Sequence, residues 1–430
     1  MREGIPVTVL SGPLGAGKTT TVNHLLEHSG DRSIAVLVND MGAINVDAEL
    51  LSAGTELAAD GGVAELSNGC ICCERQDDLE TEIARLANDR EFEYLVVEAS
   101  GISEPRPIAQ LFTTGSRAAA AYSLDTMVTV VDVDRFLQAF GDSDRVERET
   151  APGETDRPLS DLVVEQIEYA DVILLNKCDL VDDSDVDRAA ALIGELLPRA
   201  RIHRTVQGRI DAGEILGTGL FDPAETGASA GWQRAIDDIR DHTHGHDHSD
   251  RSGQGHDHDY SDRSSQGHDH DYSDESHHDH AGPDEVYNVD SFVYQRRRPF
   301  HPGRIRELLG ELPPSVVRSK GIVWVAGRDE TALLLSQAGP NATVEVLGPW
   351  LASLPEIERD LYRQRRRDVE WHDEYGDRRT ELVCIGQDID DSFETRLDDC
   401  LVTDEEWASG ITDDIFPDAE EDTLSFRTRS

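Results

Sequence analysis

Lysine is nearly absent from this sequence: Lys18, Lys177 and Lys320 are the only three in 430 residues. The remaining positive charge is arginine, and Lys+Arg total 40 against 87 Asp+Glu, a formal net charge of −47. A surface this acidic repels polyanions, which argues against nucleic acid and anionic membrane as partners. It suits a high-salt cytoplasm, where screening makes the self-repulsion tolerable, and so points to a halophilic source. The scarcity also makes the surviving lysines informative, because two of the three fall inside short motifs, GPLGAGKT and NKCD. Long apolar runs are missing as well: none approaches the roughly 20 residues of a membrane-spanning helix. The first residues enter a strand with no signal-peptide pattern, so a cytoplasmic protein is expected. Hydrophobic content is low at 38%, but part of that deficit belongs to one polar insert and an acidic end, and the rest can still bury a sizeable core. Cysteines number six, and three of them crowd into Cys70, Cys72 and Cys73. Where thiols stay reduced, such clustering favours metal over disulfides.

What is present is an alternation of short apolar strands and helical stretches over the first ~220 residues, the pattern of a parallel α/β sheet. Strands are predicted at Val7–Ser11, Ser33–Val38, Tyr94–Glu98, Met127–Asp132, Asp171–Asn176 and Arg201–Thr205. Several are unbroken Val/Ile/Leu runs, as expected when helices cover both faces. The polar stretch Gly141–Pro158 reads as a surface loop. From about Asp241 the chain changes character: SDRSGQGHDHDY at 249–260 is followed by SDRSSQGHDHDY at 261–272, and eleven of the sixteen histidines fall between His242 and His280. With almost no apolar residues, this insert is expected to be disordered without metal. A smaller α+β module follows, with strands predicted at Tyr287–Tyr294, Ser319–Ala326, Thr331–Gln337 and Glu381–Ile385 and helices at His301–Leu312 and Pro355–Arg366. The expected division is therefore 1–230, a His/Asp-rich linker at 231–286, a second domain at 287–402, and an acidic, frayed tail at 403–430.

Gly12-Pro-Leu-Gly15-Ala16-Gly17-Lys18-Thr19 fits a phosphate-binding loop, with a strand before it and a helix after it. Its glycines let backbone N–H groups close around phosphates, and the helix adds its positive N-terminus. Lys18 is expected to reach the β- and γ-phosphates, Thr19 to ligate magnesium, and Thr20 to add an α-phosphate contact. Glu98 ends an apolar strand at the edge where ligands of such sheets bind; it is the candidate to hold magnesium-bound water or to orient the attacking water. Asn176-Lys177-Cys178-Asp179 ends another buried strand. The Asp179 carboxylate can accept from both N–H groups of guanine, a pair adenine lacks, and the Lys177 stem can lie on the base. Asn176 either bonds the purine edge or ties loops together. Together these residues predict GTP rather than ATP.

Three thiolates at Cys70, Cys72 and Cys73 suit zinc and tolerate cobalt or nickel. There is no second Cys-x-x-Cys pair to close a structural knuckle, and a site with one open position can release its ion. A redox-active thiol cluster is the rival reading. His-x-His spacing with interspersed aspartates makes the insert a candidate low-specificity metal store, set against a solvated linker lengthened by duplication. His301 reads as a loop or helix-cap residue, and Cys178, Cys384 and Cys400 as structural.

GPLGAGKTT, GCICC, LVVEASG and LLNKCD, in that order, resemble the CobW-like family of metallochaperone GTPases. The likeness extends to RPFHPGRI at 298–305, RSKGIVWVAGRDE at 318–330 and GDRRTELVCIG at 376–386, so it covers most of residues 5–400. It implies GTP hydrolysis coupled to delivery of zinc or cobalt, with Gly12–Thr20 on the phosphates, Asn176, Lys177 and Asp179 on guanine, Glu98 at the magnesium site and the three cysteines on the cargo metal. Asn39-Asp40-Met41-Gly42 resembles a family segment that usually carries glutamate where Asp40 stands, which makes Asp40 a candidate switch contact or auxiliary metal ligand. The implied partners are a client metalloprotein or a cofactor-synthesis enzyme, with a homodimer as the candidate assembly. A metal-storage protein and a cobalt-handling step of cobalamin synthesis are the competing functions.

Overall fold

A computed structural model describes residues 4–28, 30, 32–38, 63–65, 83, 86–87, 92–113, 116–140, 159–223, 288–365, 370–389, 391–419 and 421–428. The first half is built on a seven-stranded sheet of β1 (Ile5–Ser11), β2 (Ile34–Val38), β3 (Val63–Glu65), β4 (Tyr94–Glu98), β5 (Tyr122–Asp132), β6 (Val172–Asn176) and β7 (Arg201–Arg204), in the order β3-β2-β4-β1-β5-β6-β7. Every pairing in it is parallel. The unbroken apolar runs follow from burial on both faces. Val172 and Leu174 join a cluster with Val22 and Leu25 of α1 (Lys18–His28). Their neighbours Ile173 and Leu175 join another with Phe136, Val164 and Leu192, which lie on α4 (Val133–Phe140), α5 (Leu159–Glu168) and α6 (Asp183–Leu196). Two shorter helices, α2 (Pro105–Thr113) and α3 (Arg117–Ala121), precede them.

A second sheet, six-stranded and antiparallel, contains β8 (Val289–Arg296), β9 (Val316–Val323), β10 (Thr331–Ala338), β11 (Asn341–Pro349), β12 (Thr380–Gln387) and β13 (Thr423–Arg427), ordered β13-β11-β10-β9-β12-β8. Strand alternation divides its side chains. Leu382 and Cys384 pack with Ile305 and Leu308 of α7 (Pro302–Leu309) and with Phe393 and Leu397 of α9 (Asp391–Asp399). Val383 and Ile385 point the other way, into the cluster formed by α4, α5 and α6. The two sheets therefore share a core. The helix α8 (Glu356–Arg365) lies between β11 and β12 in sequence.

Three expectations need correction. The fifth strand starts at Tyr122 rather than Met127, because Ile5–Val7 of β1 extend its pairing back to Tyr122–Leu124. The parallel sheet has β3 beyond the six strands expected, and the module after the insert has β11 and β13 beyond its four. The described residues after 402 are not frayed: α10 (Asp404–Ser409) starts with a capping box of Thr403 and Glu406, β13 pairs with β11, and Phe416 is buried. The Arg328 Nε and Nη2 donate to the Phe416 carbonyl at 3.0 and 2.6 Å, and Arg328 pairs with Asp413 at 3.2 Å. Those anchors lie 85 (Asp413) and 88 (Phe416) residues from Arg328 in sequence, which is why composition alone gave no sign of them. The 141–158 loop, the histidine insert, Asp40 and Cys70, Cys72 and Cys73 lie outside the described residues.

Candidate nucleotide site

Because the first sheet is parallel, the C-terminal ends of its strands share one edge, where ligands of open α/β sheets bind. The loop after β1, the carboxylate ending β4 and the Asn-Lys-x-Asp segment after β6 all fall there. Gly15 and Gly17 have positive φ, and a side chain at Gly17 would run into the Asn176 amide, so glycine is required at the second of these. Lys18 is buried, and its ammonium donates to the Gly12 and Pro13 carbonyls at 2.8 and 3.1 Å. That holds the positive charge inside the loop whose amides are suited to phosphate. Ala16 is buried beneath the loop, while Gly15 and Thr20 are exposed.

The Thr19 hydroxyl donates to Glu98 Oε1 at 2.7 Å, and Glu98 is 4% exposed. A hydroxyl and a carboxylate brought together in this way are the hard oxygen donors that magnesium takes beside a nucleotide phosphate. The residues fit that ion. Thr19 and Glu98 would hold it, and it would supply positive charge to offset that of the phosphates.

Asn176 ties loops together. Its Nδ2 donates to the Ala16 carbonyl at 2.8 Å, and its Oδ1 accepts from the Thr205 hydroxyl at 3.1 Å and the Gly208 N–H at 3.0 Å. It thus joins the phosphate loop, β6 and the turn after β7. Lys177 has a left-handed backbone, φ 65°, and its ammonium meets Asp132 Oδ2 at 2.6 Å. Asp179 stands exposed in the short turn Cys178–Leu180. The Cys178 thiol is raised above its ordinary range by burial, which keeps it protonated and supports a structural role. Burial likewise raises Cys384 to about 12 and Cys400 to about 11. His301 caps α7, its Nδ1 accepting from the Gly303 and Arg304 N–H groups.

The structure adds residues that the motifs did not mark. Asp132 holds Lys177, Arg135 Nη1 donates to the Leu14 carbonyl at 3.0 Å, and Thr205–Gly208 complete the wall beside Asn176. Asp132 was the legible one, since it ends a buried apolar strand just as Glu98 does. Among the described residues no group of three His, Cys, Asp or Glu side chains could hold a metal ion, and no helix is long and apolar enough to cross a membrane.

Comparison with known proteins agrees with this geometry. Residues 6–204 match the family model "CobW/HypB/UreG, nucleotide-binding domain", and residues 289–401 match "Cobalamin synthesis protein cobW C-terminal domain". Zinc-regulated GTPase metalloprotein activator 1 of Dictyostelium discoideum is 35% identical across 95% of this chain and 82% of its own length. Zinc chaperone CobW of Pseudomonas aeruginosa is 34% identical over 50% of this chain and 60% of its own. Zinc chaperone YjiA of Escherichia coli is 30% identical over 50% and 62%. With a phosphate loop, a strand-end glutamate, an Asn-Lys-x-Asp turn and the paired C-terminal module in one chain, the protein belongs to the CobW/HypB/UreG family of P-loop GTPases.

Proposed function

We infer that this chain is a GTP-hydrolysing metallochaperone that takes zinc at Cys70, Cys72 and Cys73 and passes it to a client metalloprotein or a cofactor-synthesis enzyme. The observation that carries this reading is three thiols in four positions between the phosphate loop and Glu98. The names of the similar proteins, zinc chaperones and a zinc-regulated GTPase activator, favour zinc over cobalt as the cargo. Strand β3 is parallel to β2, so it ends at Glu65 on the nucleotide edge. Cys70 follows five positions later in the sequence, and five residues of chain reach at most roughly 18 Å. In this reading the chain carries the cysteines from the end of β3 toward the nucleotide edge.

In this reading Gly12–Thr20 bind the phosphates, with Lys18 neutralising the β- and γ-oxygens. Asp179 accepts from guanine while the Lys177 stem covers the base. Thr19 and Glu98 hold magnesium, and Glu98 orients the attacking water. Asp40 serves as a switch contact or auxiliary ligand. Loss of the γ-phosphate relaxes the segment that carries the cysteines and releases the ion, which requires the two nucleotide states to hold metal unequally. A cytoplasmic location, a halophilic host and a homodimer belong to the same proposal.

The test is a chelator competition for zinc with GDP, with a non-hydrolysable GTP analogue, and with no nucleotide, at high salt. The expected result is a difference of about 5–150-fold in metal affinity between states, and an equal and reciprocal effect of metal on nucleotide affinity. Ser substitution at any of the three cysteines should remove the tight site. Equal metal affinity in all three states would leave a GTPase and a metal binder with no cycle joining them.

A further inference from the structure

Helix α5 spans the junction of the two domains, and its last turn carries two buried polar side chains with partners on opposite sides. Gln166 is 0% exposed; its Nε2 donates to the Ser103 carbonyl at 3.1 Å and reaches the Gly101 carbonyl at 3.5 Å. Two positions on, Glu168 receives Arg318 Nε at 2.9 Å and Nη2 at 3.3 Å, with Lys320 Nζ at 3.6 Å. Arg318 is 1% exposed, on β9 of the second sheet. Asn341 Nδ2 also donates to the Ser160 hydroxyl, near the start of the same helix, at 3.0 Å.

The loop that Gln166 holds runs directly on from Glu98. Its Ala99 N–H bonds the Leu10 carbonyl at 2.9 Å, and its Ser103 N–H closes a turn on the Ser100 carbonyl at 3.0 Å. Gly101 lies so near the phosphate loop that an added Cβ would stand 2.6 Å from the Leu14 nitrogen. Any drift of this loop therefore carries Glu98 and the phosphate loop out of register. Packing alone does not call for glutamine here. Its Oε1 is buried without a hydrogen-bond partner among the described residues, a cost of about 1–3 kcal/mol that an apolar side chain of similar size would avoid. What the amide supplies in return is its two donor contacts to the loop.

We propose that Gln166 is a positioning residue for GTP hydrolysis. Its amide holds the Ala99–Ser103 loop, and with it Glu98, against the phosphate loop. The Glu168–Arg318–Lys320 cluster makes that hold depend on docking of the C-terminal sheet. The proposal rests on the reading of Glu98 as the carboxylate that serves hydrolysis.

The experiment uses the full chain in three sets. In the first, Gln166→Met removes the donor at nearly constant volume, and Thr129→Val removes the 2.7 Å bond from the sheet to the Gln166 carbonyl while leaving the amide intact. Gln166→Met should lower kcat roughly tenfold to a hundredfold, since misplacement of about 1 Å by a remote change can reach the upper figure. KM for GTP should stay within about twofold. Thr129→Val should lower the melting temperature yet keep kcat. Wild-type kcat in Gln166→Met, or an equal loss of kcat in Thr129→Val, overturns the positioning role. In the second set, hydrogen exchange is followed in Glu168→Gln with the GTP analogue bound. Both β9 and residues 99–104 should lose protection. Protection unchanged in β9, or lost in β9 but kept in 99–104, overturns the link to docking. In the third, Glu98→Ala is assayed alone: wild-type turnover there removes Glu98 from hydrolysis, whereas slow turnover beside a wild-type rate in Gln166→Met removes Gln166 only.

Discussion

In the parallel sheet, the buried polar side chains Lys18, Glu98, Asp132 and Asn176 gather at one edge, at or just beyond the ends of neighbouring strands. In the antiparallel sheet and the loops beside it, the described buried polar groups are dispersed, and several charged ones are closed by protein partners. Glu381 takes Arg379 at 2.6 Å, Asp377 accepts the Leu351 and Ala352 N–H groups, and Arg318 takes Glu168. Both arrangements bury polarity, and only their placement differs. Convergence at a strand-end edge marks a ligand site, whereas dispersed closed pairs mark packing. Substitutions should accordingly cost binding in the first sheet and stability in the second.

The largest effect is expected from Arg328→Met in the second module. The Asp413 carboxylate that Arg328 faces has 0% side-chain exposure, and breaking a buried pair from one side costs about 3–5 kcal/mol. Chemical denaturation should show that loss while GTP affinity stays at the wild-type value. A matching loss of GTP affinity would erase the contrast between the sheets. Next comes Lys18→Ala, with the opposite signature. Losing a charge-assisted phosphate contact of about 3 kcal/mol should weaken GTP about a hundredfold, with the denaturation midpoint unchanged, as read by calorimetric titration and melting. The smallest is Asp179→Asn, where an acceptor pair becomes an acceptor and a donor. GTP should weaken by about 2 kcal/mol, and xanthosine triphosphate should bind in its place. If wild-type protein hydrolyses ATP as readily as GTP, the guanine assignment fails.

The same contrast explains what could be read from the sequence. Gly12–Thr19 and Asn176–Asp179 were legible because a phosphate or a base demands particular atoms at fixed local spacing. Six of the seven parallel strands were legible, the central ones because double-sided burial writes an unbroken apolar run such as Val172–Leu175; the three-residue β3 was not. Strand β13 was not legible: TLSFR sits in an acidic stretch, and its pairing with β11 is set across 80 residues. Gln166 and Glu168 were equally silent, since a polar residue on a helix signals nothing until its partners at Gly101, Ser103 and Arg318 are in place. The thiol cluster is clear in sequence and lies outside the described residues.

The core shared by α4, α5, α6 and one face of the second sheet has a consequence for a severed chain. Val289, Val317, Ala338, Val383 and Ile385 all lie in the same apolar cluster as Phe136, Val164 and Leu192, so separating the halves would wet a continuous hydrophobic surface. A protease cut anywhere between residues 224 and 287 should consequently leave two fragments that elute together from a sizing column and part only in denaturant. The halves are held by what they bury, and the peptide joining them is dispensable once they have met.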